Sequence, residues 1–110
     1  ETRTYIVKPE AGCQGKGIFL AQDVKCIFLL NAEIINNSRC VVQDYLSKPF
    51  LLEGLKFDFR IYVLLAGTDP LRIYLYDEGL ARLATEPYQY PNPDNLENMC
   101  MHLTNYSINK

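Results

Sequence analysis

The chain has 110 residues, of which 48% are hydrophobic and 22% charged, so it forms one domain or part of one and is too apolar for intrinsic disorder. Its net charge of −2 and pI of about 5.3 argue against a nucleic-acid-binding module, which normally presents a clustered basic face. No apolar run is long enough to cross a membrane. Because the chain starts without an initiator methionine and ends within a pattern, we expect it to be a segment of a longer protein.

The first predicted element is a hairpin with a glycine-rich connection. The β-branched and aromatic run from Thr4 to Val7 predicts a strand that ends at Pro9, and residues 18–20 predict a second strand. Residues 11–17 between them contain three glycines, which let backbone N–H groups approach a phosphate chain closely. The loop is neither a Walker A motif nor a Rossmann fingerprint, since a strand follows it. A flexible hairpin without a ligand explains this loop alone equally well.

Two lysines accompany this loop. Lys8 lies at the end of the first predicted strand and Lys16 at the tip of the loop, and either ammonium group can reach phosphate oxygens as a point charge. A solvated lysine is the alternative interpretation of both residues, and it is the stronger one for Lys16.

The stretch that follows is the least regular part of the chain. Asp23 can cap a short helix over residues 24–30, although β-branched residues weaken that prediction. Residues 36–38 predict a loop. Residues 40–45 predict another strand, and the sequence around Pro49 breaks it.

Residues 56–65 form the most informative segment. Apolar side chains at the odd positions from Phe57 to Leu65 predict a strand with one face on a core, and Lys56, Asp58 and Arg60 then share the other face. A solvated sheet surface is the usual explanation of such alternation. The plus–minus–plus order suits phosphate and metal–nucleotide binding, and the flanking sequence is apolar, so we favour a binding role.

The last part of the chain mixes a strand with loops. Residues 66–70 predict a turn and residues 71–76 a partner strand, whereas the prolines in residues 85–98 predict mainly loop, with Asp94 capping a short helical turn. Arg82 lies among small and apolar residues, and a partly buried arginine needs an anionic partner, either a structural carboxylate or a substrate. The single histidine, His102, is by itself more often structural than catalytic.

The cysteines indicate the compartment. None of the four is paired as C-x-x-C, and only one histidine is present, so a zinc site is not expected. The aliphatic core and irregular spacing favour free thiols in a reducing compartment over a secreted disulfide framework. The four cysteines are Cys13, Cys26, Cys40 and Cys100.

Five segments, in this order, resemble the tubulin–tyrosine ligase-like family. They are Ile-Val-Lys-Pro at 6–9, Gly-Cys-Gln-Gly-Lys-Gly-Ile at 12–18, Lys-Phe-Asp-Phe-Arg-Ile-Tyr-Val at 56–63, Glu-Gly-Leu-Ala-Arg at 78–82 and His-Leu-Thr-Asn-Tyr at 102–106. The combination is specific, although no single motif is. Residues 12–15 and 101–107 most resemble the glutamylase branch. The resemblance implies an ATP-grasp fold of the α+β class, in which residues 1–110 are a β-rich central part of the catalytic domain, truncated at both ends. Antiparallel strands and a glycine-rich hairpin loop are expected.

The resemblance also implies roles for individual residues. Arg60 and Arg82 would be catalytic: Arg82 would hold a carboxylate or the acyl phosphate, and Arg60 would line the phosphate and reaction site together with Lys56 and Asp58. Lys8 would contact phosphates under the glycine-rich loop. Gln43, Tyr45 and Leu46 would form the hinge that reads the adenine, and His102, Thr104 and Asn105 would touch the nucleotide and its ribose. The metal ligands would lie beyond residue 110, so none is assigned here. The implied ATP-binding residues are Lys8, Gln14, Gly15, Lys16, Gly17, Gln43, Tyr45, Leu46, Lys56, Asp58, His102, Thr104 and Asn105.

The implied activity is ATP-dependent ligation. With ATP and Mg²⁺, the enzyme would add free glutamate to glutamate side chains of tubulin C-terminal tails or microtubules through an acyl phosphate. The resemblance implies a cytoplasmic monomer on the cytoskeleton, with the cilium or basal body as further candidate locations, and no nucleic-acid or membrane partner. The alternatives are a glycylase or tyrosine ligase of the same family, and an inactive nucleotide- or microtubule-binding module.

Overall fold

The computed structural model of the chain describes residues 2–25, 27–28 and 39–110. The described residues form two three-stranded sheets, ordered β2-β1-β3 and β4-β5-β6, and every pairing is antiparallel, as predicted. The elements in chain order are β1 (Tyr5–Pro9), β2 (Phe19–Ala21), β3 (Cys40–Asp44), β4 (Leu51–Leu52), β5 (Leu55–Thr68), β6 (Leu71–Pro87) and a short helix, α1 (Met99–His102).

Strand β1 is the central strand of the first sheet, and its alternating side chains pack into two apolar clusters, one on each face. Ile6 packs in a cluster with Leu20, Tyr45 and Leu103, whereas Val7 is fully buried in a second cluster on the other face. Successive side chains of a strand point to opposite faces, so adjacent apolar residues at 6 and 7 place this strand between both clusters. Leu103 belongs to the first cluster, so the segment that follows α1 packs against this sheet.

The second sheet is dominated by the long β5–β6 hairpin. Asp58 lies directly opposite Arg82 in its register. Further along, Ile61 pairs with Gly79 but Val63 pairs with Leu75, so three residues of β6 face one residue of β5 in a bulge. At Gly79 an added Cβ would lie 2.6 Å from the backbone carbonyl oxygen of residue 60, so the close approach of the two strands requires glycine there.

The apolar face predicted for β5 is exposed in the structure, which corrects that expectation. The side chains of Phe59, Ile61, Val63 and Leu65 are 55–69% exposed, and the facing strand has exposed Leu71, Ile73 and Leu75 as well. Alternation shows that these side chains share one face of a sheet. It does not show that a layer covers that face, and none of the described residues supplies one.

Other segments differ from the predictions in length. Strand β6 continues to Pro87, beyond the predicted boundary at residue 76, and the helix α1 was not predicted. The turn near residue 94 is held by Asn92, whose Oδ1 accepts a hydrogen bond from the Asp94 N–H at 2.9 Å, so Asp94 is not the capping residue. No helix among the described residues is long and apolar enough to span a bilayer.

The predicted helix over residues 24–30 lies partly outside the described residues, and the predicted loop at 36–38 lies entirely outside them. Within the described part, the Asp23 side chain accepts a hydrogen bond from the Lys25 N–H at 2.9 Å, and the Ile27 N–H donates to the Asp23 carbonyl oxygen at 3.3 Å. Both bonds are typical of a capped first helical turn.

The cysteines provide a first testable prediction. Cys13, Cys40 and Cys100 carry free thiols in the structure, and Cys26 is outside the described residues. We expect all four thiols to be alkylated by iodoacetamide in protein taken from cells under denaturing, non-reducing conditions. Mass spectrometry would measure the modification, and a stoichiometric disulfide between any two of them would contradict the assignment to a reducing compartment.

Candidate functional site

Lys56 is held by two oxygen acceptors near the start of β5. Its Nζ donates hydrogen bonds to the Tyr45 hydroxyl and to the His102 backbone carbonyl, both at 2.9 Å. The same nitrogen lies 4.3 Å from the centroid of the Tyr45 ring and 5.9 Å from that of Tyr88. Burial lowers the pKa of Lys56 to about 8, and the nearby Asp58 carboxylate opposes part of that shift.

A directed chain of hydrogen bonds continues from Tyr45. His102 Nε2 lies 2.9 Å from the carbonyl oxygen of Asn95, which can only accept, so Nε2 carries the proton. His102 Nδ1 is therefore the acceptor for the Tyr45 hydroxyl, also at 2.9 Å. The His102 side chain is fully buried, and burial lowers its pKa, which keeps the ring neutral.

Asp58 and Arg82 form the centre of the charged face. Arg82 donates two hydrogen bonds to the carboxylate, Nε to Oδ1 at 2.7 Å and Nη2 to Oδ2 at 2.5 Å. Thr104 donates a third through its hydroxyl, at 2.9 Å. Hydrogen bonding from Arg82 is the main reason why the pKa of Asp58 lies below its usual value. The anionic partner expected for Arg82 is thus a structural carboxylate.

A cleft of about 260 Å³ opens beside this ion pair. Two arginines line it, Arg60 from β5 and Arg82 from β6, and Gln14 from the glycine-rich loop lines it as well. The remaining wall comes from the segment after α1. The residues lining the cleft are Gln14, Arg60, Arg82, Asn105, Tyr106 and Ser107. Residues that are distant in sequence therefore form one cationic cleft.

The glycine-rich loop is docked against the segment after α1. The Ser107 hydroxyl donates to the Gln14 carbonyl oxygen at 2.6 Å. Gly15 has φ +81°, and a Cβ there would lie 2.6 Å from Ile108 Cδ1 and 3.3 Å from the Asn105 side chain. Both the backbone conformation and the contact favour glycine at this position. The glycine at position 15 thus lets the loop pack closely against the segment after α1.

The other predicted binding residues lie around this centre. Lys8 donates a hydrogen bond to the Gln43 side chain at 2.6 Å, across the β1–β3 pair. Tyr45 and Leu46 line a separate cleft of about 490 Å³. The remaining predicted residues line neither of these two clefts: Lys8, Gly15, Lys16, Gly17, Gln43, Lys56, Asp58, His102 and Thr104. Their contacts with ATP stay predictions.

Two further residues of this centre, Tyr88 and Asn95, were not predicted from the sequence. Tyr88 places its ring edge-on to His102, with 6.0 Å between ring centroids, and its hydroxyl donates to the Ser47 carbonyl at 2.9 Å. Asn95 fixes His102 through its backbone carbonyl. A backbone acceptor leaves no signal in residue type. Tyr88, just after a long strand, had only its aromatic character as a signal.

No group of three or more His, Cys, Asp or Glu side chains within residues 2–25, 27–28 and 39–110 is arranged to hold a metal ion. Asp58, the partner of the cleft residue Arg82, accepts hydrogen bonds from Arg82 and Thr104 on its two carboxylate oxygens. The described residues thus supply cations and hydroxyl groups, which suit an anionic ligand.

Comparison with known proteins identifies the family of the chain. The model of the tubulin-tyrosine ligase family matches residues 1–110. A probable beta-tubulin polyglutamylase of Tetrahymena thermophila is 60% identical over the whole chain, and the mouse tubulin polyglutamylase TTLL13 is 56% identical. The human tubulin polyglutamylase TTLL6 is also 56% identical. The chain covers 9%, 13% and 12% of these three relatives. The chain therefore belongs to the tubulin-tyrosine ligase family.

Proposed function

We propose that residues 1–110 form part of the ATP-binding and reaction centre of a larger ligase that adds glutamate to glutamate side chains of tubulin tails. The observation that carries the proposal is the cationic cleft, which Arg60 and Arg82 line together with Gln14 of the glycine-rich loop. The names of the relatives, tubulin polyglutamylases, support the choice of substrate and of donor amino acid. Activity on tubulin implies a cytoskeletal location, with the cilium or basal body among the candidates.

The arrangement of the described residues is suited to binding a nucleoside triphosphate. The close packing at Gly15 holds the glycine-rich loop next to Asn105, which lines the cationic cleft. Lys56 offers a half-buried ammonium group whose two protein acceptors engage two of its three protons, so one proton remains for a phosphate oxygen. We propose that the larger cleft lined by Tyr45 and Leu46 receives the adenine. Lys8, Gln43, Thr104 and Asn105 would complete the nucleotide contacts.

The proposed reaction has two steps. An acceptor carboxylate oxygen attacks the γ-phosphorus of ATP, the bond to the β-phosphate oxygen breaks, and an acyl phosphate and ADP result. The amine of free glutamate then attacks the acyl carbon, an amide bond forms, and inorganic phosphate leaves with the electron pair of the broken C–O bond. Arg60 and Arg82 would stabilise the negative charge that develops in both steps, and Asp58 holds Arg82 in place.

Mg²⁺ would neutralise the nucleotide phosphates during transfer. The described residues do not offer it a set of ligands. We therefore place the metal ligands outside the described residues and assign Asp58 to the positioning of Arg82.

The proposal is tested with the full-length protein that contains this segment. The protein is incubated with ATP, Mg²⁺, tubulin and one labelled amino acid, either glutamate, glycine or tyrosine. We expect incorporation of glutamate alone. Incorporation of glycine or tyrosine would contradict the proposal and would indicate a glycylase or a tyrosine ligase of the same family. ATP binding without any incorporation would indicate an inactive nucleotide-binding module.

Lys56→Ala is expected to weaken ATP binding in the full-length protein by about 10- to 100-fold, because a charge-assisted hydrogen bond contributes about 1.5–3 kcal/mol. Isothermal titration calorimetry measures the dissociation constant. Lys110→Ala serves as a control, since Lys110 is an exposed lysine that is not among the predicted ATP-binding residues. An unchanged dissociation constant for the Lys56 variant would remove Lys56 from the nucleotide site.

The affinity for ATP is also expected to fall as the pH rises above about 8. Binding of an anion favours the protonated amine, and the pKa of Lys56 in the free protein is about 8. The dissociation constant should therefore be nearly constant between about pH 7 and 7.5 and increase above pH 8, by at most about tenfold per pH unit. Calorimetry across this range measures the change, and the Lys56→Ala variant should lack it.

The other groups that face Lys56 do not titrate in this range. Burial raises the pKa of both phenols, Tyr45 and Tyr88, and lowers that of His102. Hydrogen bonding from Arg82 lowers the pKa of Asp58. A pH dependence that persists in Lys56→Ala would therefore assign the effect to a group outside this cluster.

A further inference from the structure

The two acceptors of Lys56 are not equivalent. One is the backbone carbonyl oxygen of His102, which any residue at that position would supply. The other is the Tyr45 hydroxyl, whose proton can rotate. The hydroxyl offers a lone pair to the ammonium group only while its own proton points elsewhere.

The His102 side chain fixes the direction of that proton. Its Nδ1 accepts the Tyr45 proton at 2.9 Å, and the Asn95 carbonyl fixes the ring in the tautomer with an unprotonated Nδ1. The three bonds therefore run in one direction, from Lys56 to Tyr45, from Tyr45 to His102 and from His102 to Asn95. A neutral polar ring that is fully buried is costly to desolvate, and these two bonds compensate it.

We propose that His102 is a positioning residue for Lys56: through the Tyr45 hydroxyl, its imidazole holds the Lys56 ammonium group in the orientation that leaves one proton for the nucleotide. This inference rests on the proposed function, since it assigns Lys56 to ATP. The His102 ring itself does not touch the nucleotide, because both of its nitrogens are engaged inside the protein. This role differs from the direct nucleotide contact that the family resemblance implies.

Two substitutions separate positioning from structural support. His102→Gln keeps an N–H donor near the position of Nε2 for the Asn95 carbonyl but removes the acceptor at Nδ1. His102→Asn keeps an acceptor near the position of Nδ1 for Tyr45 but loses the bond to Asn95. Tyr45→Phe removes the hydroxyl and keeps the ring. A purely structural role for His102 predicts that Asn, which leaves the larger space, is at least as harmful as Gln.

The measurement is the ATP dissociation constant of the full-length protein by calorimetry, as a function of pH, for wild type and each variant. We expect His102→Gln to weaken binding about tenfold, the factor for loss of one hydrogen bond to a charged group, and His102→Asn to weaken it less. In His102→Gln the Tyr45 proton can turn toward the amine and stabilise its neutral form. The pH above which affinity falls should therefore shift downward in the Gln variant and less in the Asn variant.

The double variant completes the test. If His102 acts through the Tyr45 hydroxyl, combining His102→Gln with Tyr45→Phe should weaken binding no more than Tyr45→Phe alone. Additive effects, or equal effects of Gln and Asn on affinity and pH profile in folded proteins, would overturn the proposal. Wild-type protein that binds no ATP would instead refute the proposed function, so the two failures are distinguishable.

Discussion

Turnover of the full-length enzyme is expected to fall at least about 100-fold when Arg60 is replaced by lysine, the usual effect of removing one preorganised donor from a reaction centre. Lysine keeps the charge but loses the planar guanidinium group, which can bind two oxygens of a carboxylate or phosphate at once. Arg60 lines the cleft, and no ion pair engages it among the described residues, so its donors are available to the reacting groups.

Arg82→Lys is expected to lower turnover by a similar factor, and a second cause contributes to the loss. Arg82 uses Nε and Nη2 to bind both oxygens of Asp58, and a lysine can supply only one point of contact. The carboxylate is then free to rotate about its remaining bond from Thr104. The loss of activity would include a misplaced Asp58 as well as the missing guanidinium group.

The measurement is steady-state incorporation of labelled glutamate, with folding checked by circular dichroism. Arg72→Lys provides a matched control, because Arg72 is exposed on the same hairpin near its turn and does not line the cleft. It should retain turnover within about twofold. Turnover close to that of wild type in a folded Arg60→Lys or Arg82→Lys variant would make that arginine a structural residue only.

Residues 1–110 expressed alone are expected to incorporate no glutamate and to be poorly soluble. Large apolar side chains are exposed on both faces of the β5–β6 hairpin, among them Tyr62, Leu64, Tyr74 and Tyr76 in addition to the face described above. Exposed apolar surface of this kind, together with open strand edges, promotes association between copies. The described residues also lack a set of metal ligands, which phosphoryl transfer needs.

The experiment compares the isolated segment with the full-length protein at the same molar concentration, in the presence of ATP, Mg²⁺, labelled glutamate and tubulin. Size-exclusion chromatography reports association and scintillation counting reports incorporation. Robust incorporation by the isolated segment would place the metal site within residues 1–110 and would make the assignment of Asp58 as a positioning residue wrong.

Several features of the site follow from local sequence. The period-two pattern of residues 56–60 predicts that Lys56, Asp58 and Arg60 share one strand face, and the structure places them around one charged centre. The need of Arg82 for an anionic partner also follows from its apolar neighbours, and Asp58 satisfies it. The combined motifs identified the family, which the family model and the relatives confirm.

Other features depend on contacts that no local pattern contains. The partner of the His102 ring lies 57 residues earlier in the chain, at Tyr45, so neither residue type nor spacing reveals the pair. The exposed face of β5 has the same alternation as a buried one, because burial depends on a layer supplied from elsewhere. Strand β6 is long because it stays paired with β5 as far as Pro87, whereas the apolar alternation in its sequence ends earlier.

The bulge between Ile61 and Val63 lies between the turn of the hairpin and the pair Asp58 and Arg82. Because three residues of β6 already bypass one residue of β5, a shift in strand alignment near the turn can be absorbed there. The pair Asp58 and Arg82, on the other side of the bulge, keeps its alignment. We therefore expect insertions and deletions at the tip of the hairpin to leave the alignment of Asp58 with Arg82 unchanged.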